Sequence, residues 1–295
     1  MSPARPPEGA AKRRAARGID TLSPFQRFYL LFVVLVAVGP FLPLLIASFS
    51  FRWTWPNLLP TTWWWSARAT VTNPISWDYV LSPESRVLTA TLNTLLIACS
   101  VTLLCLLVSL PAARVIAREK FRGKEWIEFF LITPLIVPEI AVGLGILVIF
   151  LHLGLAGSFF GVILALLIPT IPYMVRILTS VFQGLSRDFE EQAQMLGARP
   201  WQVLWHVTLP MILPGVLGGC LFAFLISSNV FLLTFFIGRG SIETLPTLLF
   251  SRLSGGGSLD AISAGIALVV SLPGFALLVI TERFIKDEVF AIGVK

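Results

Sequence analysis

Long apolar runs separated by short polar segments dominate the chain. A helix of roughly 20 residues crosses a hydrocarbon layer of about 30 Å, and six runs reach or approach that length. These runs lie at about Phe28–Phe51, Val87–Ala113, Phe129–Leu151, Phe159–Val175, Met211–Gly238 and Ala261–Thr281. The fourth run is the shortest and contains two prolines, so its ends are the least sharply defined. The pattern predicts an all-α polytopic membrane protein with six transmembrane helices.

The composition agrees with that prediction. Of the 295 residues, 56% are hydrophobic and 13% are charged, whereas about a quarter of the residues in soluble domains are charged. The three cysteines (Cys99, Cys105 and Cys220) all fall inside predicted spans and form neither a disulfide framework nor a metal-ligand spacing. No metal site and no separate soluble domain are therefore predicted.

The distribution of positive charge predicts the orientation. If the N-terminus is cytoplasmic, most of the 22 Lys and Arg residues lie in inner segments, and the outer segments hold only Arg52, Arg68, Arg86, Arg239 and Arg252. This positive-inside bias places both termini in the cytoplasm. Residues 1–26 are interpreted as a solvated basic tail rather than a nucleic-acid-binding element, and residues 27–295 as the membrane domain.

Helix signals and breakers are frequent in the apolar runs. Ser23 and Pro24 form a typical helix start, with Ser as the N-cap and Pro at the first helical position. Prolines within or near the spans predict kinks, which neighbouring helices must compensate in lipid. These prolines are Pro40, Pro43, Pro134, Pro138, Pro169, Pro172, Pro214 and Pro273. Broken helices are frequent in transporters, although receptors and channels share them.

The inner segment between the fourth and fifth runs, EEQAQMLGARPWQVLWHVTLP, is charged and amphipathic. Asp188 is expected to cap a helix over Phe189–Leu196, which Gly197 ends in a left-handed conformation. Pro200 is expected to open a second short helix, which Pro210 ends. The residues alone leave two interpretations open, a plain interfacial helix pair and an element that binds a partner.

The spacing of this segment resembles the cytoplasmic loop signature of ABC-transporter permease subunits: E-A-A, three residues, G, nine residues, I, one residue, L-P. The chain departs from it at Gln192, where the signature has Ala, and at Val207, where it has Ile. The resemblance implies a coupling loop over residues 186–210, between helices 4 and 5, that inserts into a groove on an ATPase subunit. The coupling residues are then Glu191, Gln192, Ala193, Gly197, Ala198, Pro200, Trp201, Val207, Leu209 and Pro210.

The resemblance also implies partners and a location. Such a permease is a multi-pass protein of the bacterial inner (plasma) membrane and works in the lipid bilayer. Its partners are an ABC ATPase dimer, a second permease subunit expected to be related but non-identical, and a periplasmic or extracellular solute-binding protein. The chain has no G-x-x-x-x-G-K-[ST] loop, so ATP is expected to bind to the partner ATPase, and no cofactor is expected on this chain.

Glu139 is the acidic residue inside a predicted span, close to the middle of the third. An ionisable group at that depth is a functional candidate by default, and a structural role bonded to backbone freed by Pro134 and Pro138 is the alternative. The PE before GLGIL, together with TFFIGRGSIETLP, resembles the spermidine/putrescine-type branch of these permeases and implies a small, charged, polyamine-like solute. Asn229 and Val230 stand where that branch tends to carry carboxylates, so an aminophosphonate, an opine or another zwitterion is the alternative solute. Ser227, Ser228 and Asn229 would serve such a solute by hydrogen bonding.

Two rival classes of function remain. A membrane enzyme needs converging nucleophiles, bases or metal ligands, and the spans offer one Glu, no Asp and a His at the edge. A stand-alone secondary carrier or channel would account for the prolines and for Glu139, but it would leave the inner loop without a role. Copurification of an ATPase separates these classes from an importer subunit.

Overall fold

The computed structural model describes residues 23–53, 57, 59–67, 77–254 and 260–292. The predicted basic tail therefore lies outside the described residues as far as residue 22. The N-terminal half comprises the helices α1 Pro24–Val38, α2 Phe41–Ser48, α3 Trp64–Ala67, α4 Trp77–Val80, α5 Val87–Arg118, α6 Lys124–Ile136 and α7 Glu139–His152. The C-terminal half comprises α8 Phe159–Gly184, α9 Asp188–Met195, α10 Pro200–Val203, α11 Leu209–Asn229, α12 Leu232–Gly238, α13 Leu245–Ser254 and α14 Ala261–Ile292.

Short elements connect the first two long apolar segments. The strands β1 Ser50–Arg52 and β2 Thr62–Trp63 pair antiparallel, with Ser50 opposite Trp63. A 3-10 turn, Pro83–Ser85, leads into α5. The predicted start of α1 is confirmed, because the Ser23 hydroxyl accepts a hydrogen bond from the Gln26 N–H and the Gln26 side chain accepts one from the Ser23 N–H.

The membrane spans follow the predicted runs in position. Among the described residues, three helices are long and apolar enough to cross a membrane: Val87–Arg118, Phe159–Gly184 and the continuous stretch Pro200–Asn229. Two bent pairs, α1 with α2 and α6 with α7, each reach spanning length together. The sixth predicted run coincides with the apolar stretch Ala261–Leu277 of α14. The all-α membrane fold is confirmed, and the count of six stays a prediction.

The third predicted run is not a single helix. It divides into α6 and α7, which meet at an angle of 101°. Val137 between them is extended (φ −72°, ψ 134°) because the ring of Pro138 excludes the helical conformation at the preceding residue. Glu139, which was predicted close to the middle of the third span, is the first residue of α7 and directly follows this break.

The fifth predicted run also divides. The helix α11 ends at Asn229, Val230 is extended (φ −65°, ψ 115°), and the short helix α12 continues from Leu232. The prediction of one uninterrupted span over Met211–Gly238 is therefore wrong. Both interruptions line one cavity, to which the first contributes Val137 and Pro138 and the second contributes Val230. Irregular backbone at membrane depth is tolerated where it lines a cavity.

The helices α5, α8 and α11 form the centre of the bundle. Their buried faces share one apolar cluster, which includes Cys105 of α5, Leu178 and Phe182 of α8, and Ile212 and Val216 of α11. A second cluster joins α5 and α8 to α7 and α12. This packing fixes α8, α11 and the break between α6 and α7 relative to one another, so it positions both candidate sites.

Close packing of α11 on α8 gives a test of the fold. A Cβ atom at Gly215 would lie 2.3 Å from Cγ2 of Val181, whereas a Cβ atom at Gly218 would meet nothing within 4 Å. We expect Gly215→Ala to destabilise the purified protein by roughly 1–3 kcal/mol because it overpacks this contact. Gly218→Ala, one turn away, is the matched control. Thermal unfolding in detergent measures both, and equal midpoints for the two variants would contradict the packing.

Candidate functional site

The segment between α8 and α11 begins with the helix α9, which carries three acidic residues in its first turn. Asp188 does not cap this helix, contrary to the prediction, because it is itself the first helical residue. The Ser186 hydroxyl instead accepts a hydrogen bond from the Asp188 N–H, with 3.2 Å between the two atoms. The acidic first turn is favourable because the N-terminus of a helix carries partial positive charge.

Gly197 reverses the chain at the end of α9. Its φ is +86°, the left-handed conformation that was predicted for it. The Gly197 N–H donates to the Gln194 carbonyl at 2.9 Å, and the Ala198 N–H donates to the Ala193 carbonyl at 3.0 Å. These two bonds satisfy carbonyls that the helix end leaves without partners. The turn therefore has a defined geometry that depends on a residue able to adopt positive φ.

The second helix of the segment runs directly into the membrane helix. After α10, a π-helical turn over Leu204–Thr208 leads into α11 without a break, and the Leu209 N–H donates to the Leu204 carbonyl. The prediction that Pro210 ends this helix is therefore wrong. The wider π turn leaves room for the proline ring at the point where a regular helix would clash. A displacement of α10 is thus carried into α11 through a continuous helix.

Large apolar side chains at the tip of this segment are exposed. Met195 and Leu196 are 88% and 90% exposed, and the ring centroids of Trp201 and Trp205 lie 5.3 Å apart in an edge-on pair. We call the exposed residues Phe189, Met195, Leu196, Trp201 and Trp205 the coupling surface. Exposed apolar residues grouped in this way, with charged residues beside them, are typical of a protein interaction site.

The predicted coupling residues occupy different sides of the segment. Glu191, Gln192, Gly197, Pro200, Trp201 and Pro210 are exposed, and Ala193, Ala198, Val207 and Leu209 are half-buried. The exposed residues of α9, the Gly197 turn and α10 belong to one unit, a pair of short helices joined at Gly197. The half-buried residues pack the unit against the rest of the chain.

The second candidate site is a cavity of about 440 Å³ beside the break between α6 and α7. Glu139 lines it, together with Pro169 and Tyr173 of α8 and with Ile226 and Val230 at the end of α11. The Glu139 carboxylate lies in the first turn of α7. No ion pair or hydrogen bond engages this carboxylate within the described part of the chain, so it is available to a solute.

The polar residues at the end of α11 take other positions. Ser227 and Ser228 are buried and donate to carbonyls of their own helix, those of Ala223 (2.6 Å) and Leu225 (3.2 Å). The Asn229 amide donates to the Leu225 carbonyl at 2.9 Å. None of the three belongs to the lining of the cavity beside Glu139, to which α11 contributes Ile226 and Val230 instead.

Sequence analysis missed two groups of residues at these sites. Tyr173 lines the cavity together with Pro169, and their spacing of four along α8 was a usable signal. Glu190, which neighbours the signature at Glu191, bonds to Arg114 and Thr208. Arg114 lies 76 residues away in the chain, so no local pattern could have linked the two.

Comparison with known proteins identifies the family. The profile of the family described as binding-protein-dependent transport system inner membrane component matches residues 106–287. The chain is 33% identical to the molybdenum transport system permease protein of Mycobacterium tuberculosis over 68% of this chain and 81% of that protein. It is 28% identical to the putrescine transport system permease protein of Escherichia coli K12, over 90% of this chain and 94% of that protein. It is 27% identical to a protein of Salmonella typhimurium described as a 2-aminoethylphosphonate transport system permease, over 93% of this chain and 96% of that protein.

The fold agrees with this assignment. A chain of a bacterial ABC transporter that imports the acidic polysaccharide alginate superimposes with a TM-score of 0.65 at 17% identity, over 96% of this chain and 99% of that chain. The resemblance to ABC permeases is thereby confirmed. The family implies an ATPase and a solute-binding protein as partners, so this subunit is not itself the enzyme. The chain therefore belongs to the family of binding-protein-dependent transport system inner membrane components, the permease subunits of ABC importers.

Proposed function

We propose that this permease passes a small charged solute across the inner membrane and that its segment 186–210 docks on the ATPase. The observation that carries the docking proposal is the coupling surface, whose apolar side chains are exposed on a helix pair continuous with α11. A groove on an ATPase subunit would cover these side chains. Gly197 would act as the joint between α9 and α10, and the exposed Glu191 would pair with a basic or donor group of the ATPase.

The orientation and assembly follow from this proposal. The coupling surface must face the cytoplasm, which agrees with the positive-inside bias and places both termini on the same side. Residues 27–295 then form one transmembrane domain that follows a cytoplasmic tail. A related, non-identical permease is the proposed second subunit. The ATPase dimer would bind on the cytoplasmic side and the solute-binding protein on the opposite side of the membrane.

A polyamine-like cation is the proposed solute. The cavity beside Glu139 offers one free carboxylate and one phenol within a mainly apolar lining, which suits an ammonium group on an alkyl chain. The putrescine permease among the relatives supports this choice. A zwitterion such as an aminophosphonate is the second candidate, because a single carboxylate matches a single ammonium group and a relative is described for that class of solute. The carboxylate disfavours an oxyanion such as molybdate.

Copurification tests the assignment against a stand-alone carrier. The chain, affinity-tagged and extracted from its native membrane, is expected to bring down an ATPase subunit and a second permease. Uptake into proteoliposomes is then expected to require ATP inside and binding protein outside. Solute uptake by the chain alone, without ATP, would establish a secondary carrier or channel instead.

The solute is tested with the cognate binding protein. Thermal unfolding is measured with putrescine, 2-aminoethylphosphonate and molybdate in parallel. We expect stabilisation by putrescine, and stabilisation by the aminophosphonate alone would select the second candidate. Stabilisation by molybdate alone would contradict both.

A further inference from the structure

The Glu190 carboxylate lies between three elements at the base of the coupling segment. Its Oε2 atom is 3.4 Å from Nη2 of Arg114 on α5, and its Oε1 atom accepts a hydrogen bond of 2.9 Å from the Thr208 hydroxyl in the π turn. The Glu190 side chain is only 13% exposed, and Thr208 is fully buried. Both carboxylate oxygens are therefore engaged in a largely desolvated position.

A second contact holds the same junction. The Arg187 guanidinium donates to the carbonyl of Arg118, the last residue of α5. The Arg118 side chain does not share the carboxylate, since its Nε and Nη2 atoms are buried without a hydrogen-bond partner among the described residues. Arg114 is thus the cation through which Glu190 binds α5. The segment is attached to α5 at two successive turns, through one side chain and one carbonyl.

The neighbouring glutamate points elsewhere. Glu191 is exposed, and its side chain has no hydrogen bond or ion pair within the described part of the chain. Adjacent residues of a helix are separated by roughly 100° around its axis, so they cannot share one partner. The acidic pair therefore divides into an inward carboxylate at Glu190 and an outward carboxylate at Glu191.

We propose that Glu190 is a positioning residue for coupling, which joins α9, α5 and the base of α11 so that they move as one body. This inference rests on the proposed docking of segment 186–210 on the ATPase. A displacement of α9 reaches α11 through α10 and the π turn, and it reaches α5 directly through Arg114 and the Arg118 carbonyl, in addition to the packing of α11 on α5. Rigid elements held by hydrogen bonds and ion pairs are the means by which such displacements are transmitted. Without the carboxylate, the coupling segment keeps only one of its two direct contacts with α5, so its movement is passed to α5 less completely.

The test compares uptake with ATP hydrolysis in the complete importer, reconstituted with ATPase, second permease and binding protein. Glu190→Gln keeps the shape of the side chain and removes its charge. We expect the number of solute molecules taken up per ATP hydrolysed to fall roughly fivefold or more, while the ATPase still copurifies in wild-type amount. The charge exchange Glu190→Arg with Arg114→Glu is expected to restore at least part of the ratio. Thr208→Val, of similar shape, is expected to lower it less.

Glu119→Gln is the matched control, because Glu119 is an exposed carboxylate immediately after α5. We expect this variant to keep the wild-type ratio. An unchanged ratio in Glu190→Gln would overturn the proposal, as would loss of the ATPase from that variant's complex, which would make Glu190 a docking residue. If Glu190→Gln fails to fold, Thr208→Val takes its place as the test, and a wild-type ratio in Thr208→Val would likewise overturn the proposal. Absence of the ATPase from the wild-type complex would instead overturn the proposed function.

Discussion

Gly197→Val is expected to lower solute uptake at least tenfold while the importer still assembles. A Cβ atom at Gly197 would meet nothing within 4 Å, so the substitution causes no steric clash. It penalises the backbone, because the left-handed conformation costs a residue with a side chain about 1–2 kcal/mol and a β-branched residue more. The valine is expected to relieve this strain by moving to a negative φ. That change would turn α10 away from α9 and separate the two parts of the coupling surface.

The measurement is uptake and ATP hydrolysis in proteoliposomes that contain the complete importer. We expect hydrolysis to continue while uptake is lost. Gly197→Asn is expected to be much milder, since Asn tolerates the left-handed conformation. Gly123→Val is the matched control, because Gly123 has φ +91° and also has nothing within 4 Å of an added Cβ atom, but lies in the loop before α6. Equal loss of uptake in the Gly197 and Gly123 variants would show a general effect on folding. It would contradict the proposal that Gly197 is the joint between α9 and α10.

Glu139→Gln is expected to lower the uptake of a cationic solute about tenfold or more. The amide keeps the size of the side chain but loses the charge that would bind an ammonium group, and a hydrogen bond to a charged group contributes about 1.5–3 kcal/mol. The loss is expected in the transport rate, with normal yield of the assembled importer, because the carboxylate holds no described part of the chain together. Initial uptake rates against solute concentration measure the effect.

Glu125→Gln is the matched control for Glu139. Glu125 is also an exposed glutamate in the first turn of a helix, but it lies at the start of α6 and does not line the cavity. We expect it to leave uptake unchanged. Wild-type uptake in Glu139→Gln would reduce this residue to a part of the scaffold, and a lower yield of assembled importer would give it a structural role.

The positions of the spans could be predicted because hydrophobic length is a property of each run by itself. The start of α1 at Pro24 and the reversal at Gly197 were equally local, since Ser-Pro is a typical helix start and Gly readily adopts the positive φ of this reversal. The division of the third and fifth runs could not be predicted in the same way. Pro134 lies inside α6 whereas Pro138 ends the helical path, and an apolar run that is hydrophobic on every face does not distinguish a kink from a break.

The site was predictable where its chemistry follows from one segment. The spacing from Glu191 to Pro210 predicts the coupling segment, and the isolated acidic residue in an apolar run marks Glu139 as a candidate. The different surroundings of Glu190 and Glu191 depend on the distant Arg114, and the lining of the cavity depends on how α11 ends. Ser227 and Ser228 were reasonable candidates by composition, but their hydroxyl groups bond to their own helix. Tertiary packing decided each of these cases.

The central claim is that the coupling surface seats on an ATPase subunit. Leu196 is 90% exposed at its tip, so Leu196→Cys, in a chain whose three native cysteines are replaced by alanine, can carry benzophenone maleimide. Irradiation of the purified importer is predicted to join this chain to the ATPase. The same label at Leu153→Cys, an exposed residue directly after α7, is predicted not to do so. Cross-linking from position 153 alone, or reaction of position 196 with an impermeant thiol reagent outside intact cells, would contradict the account.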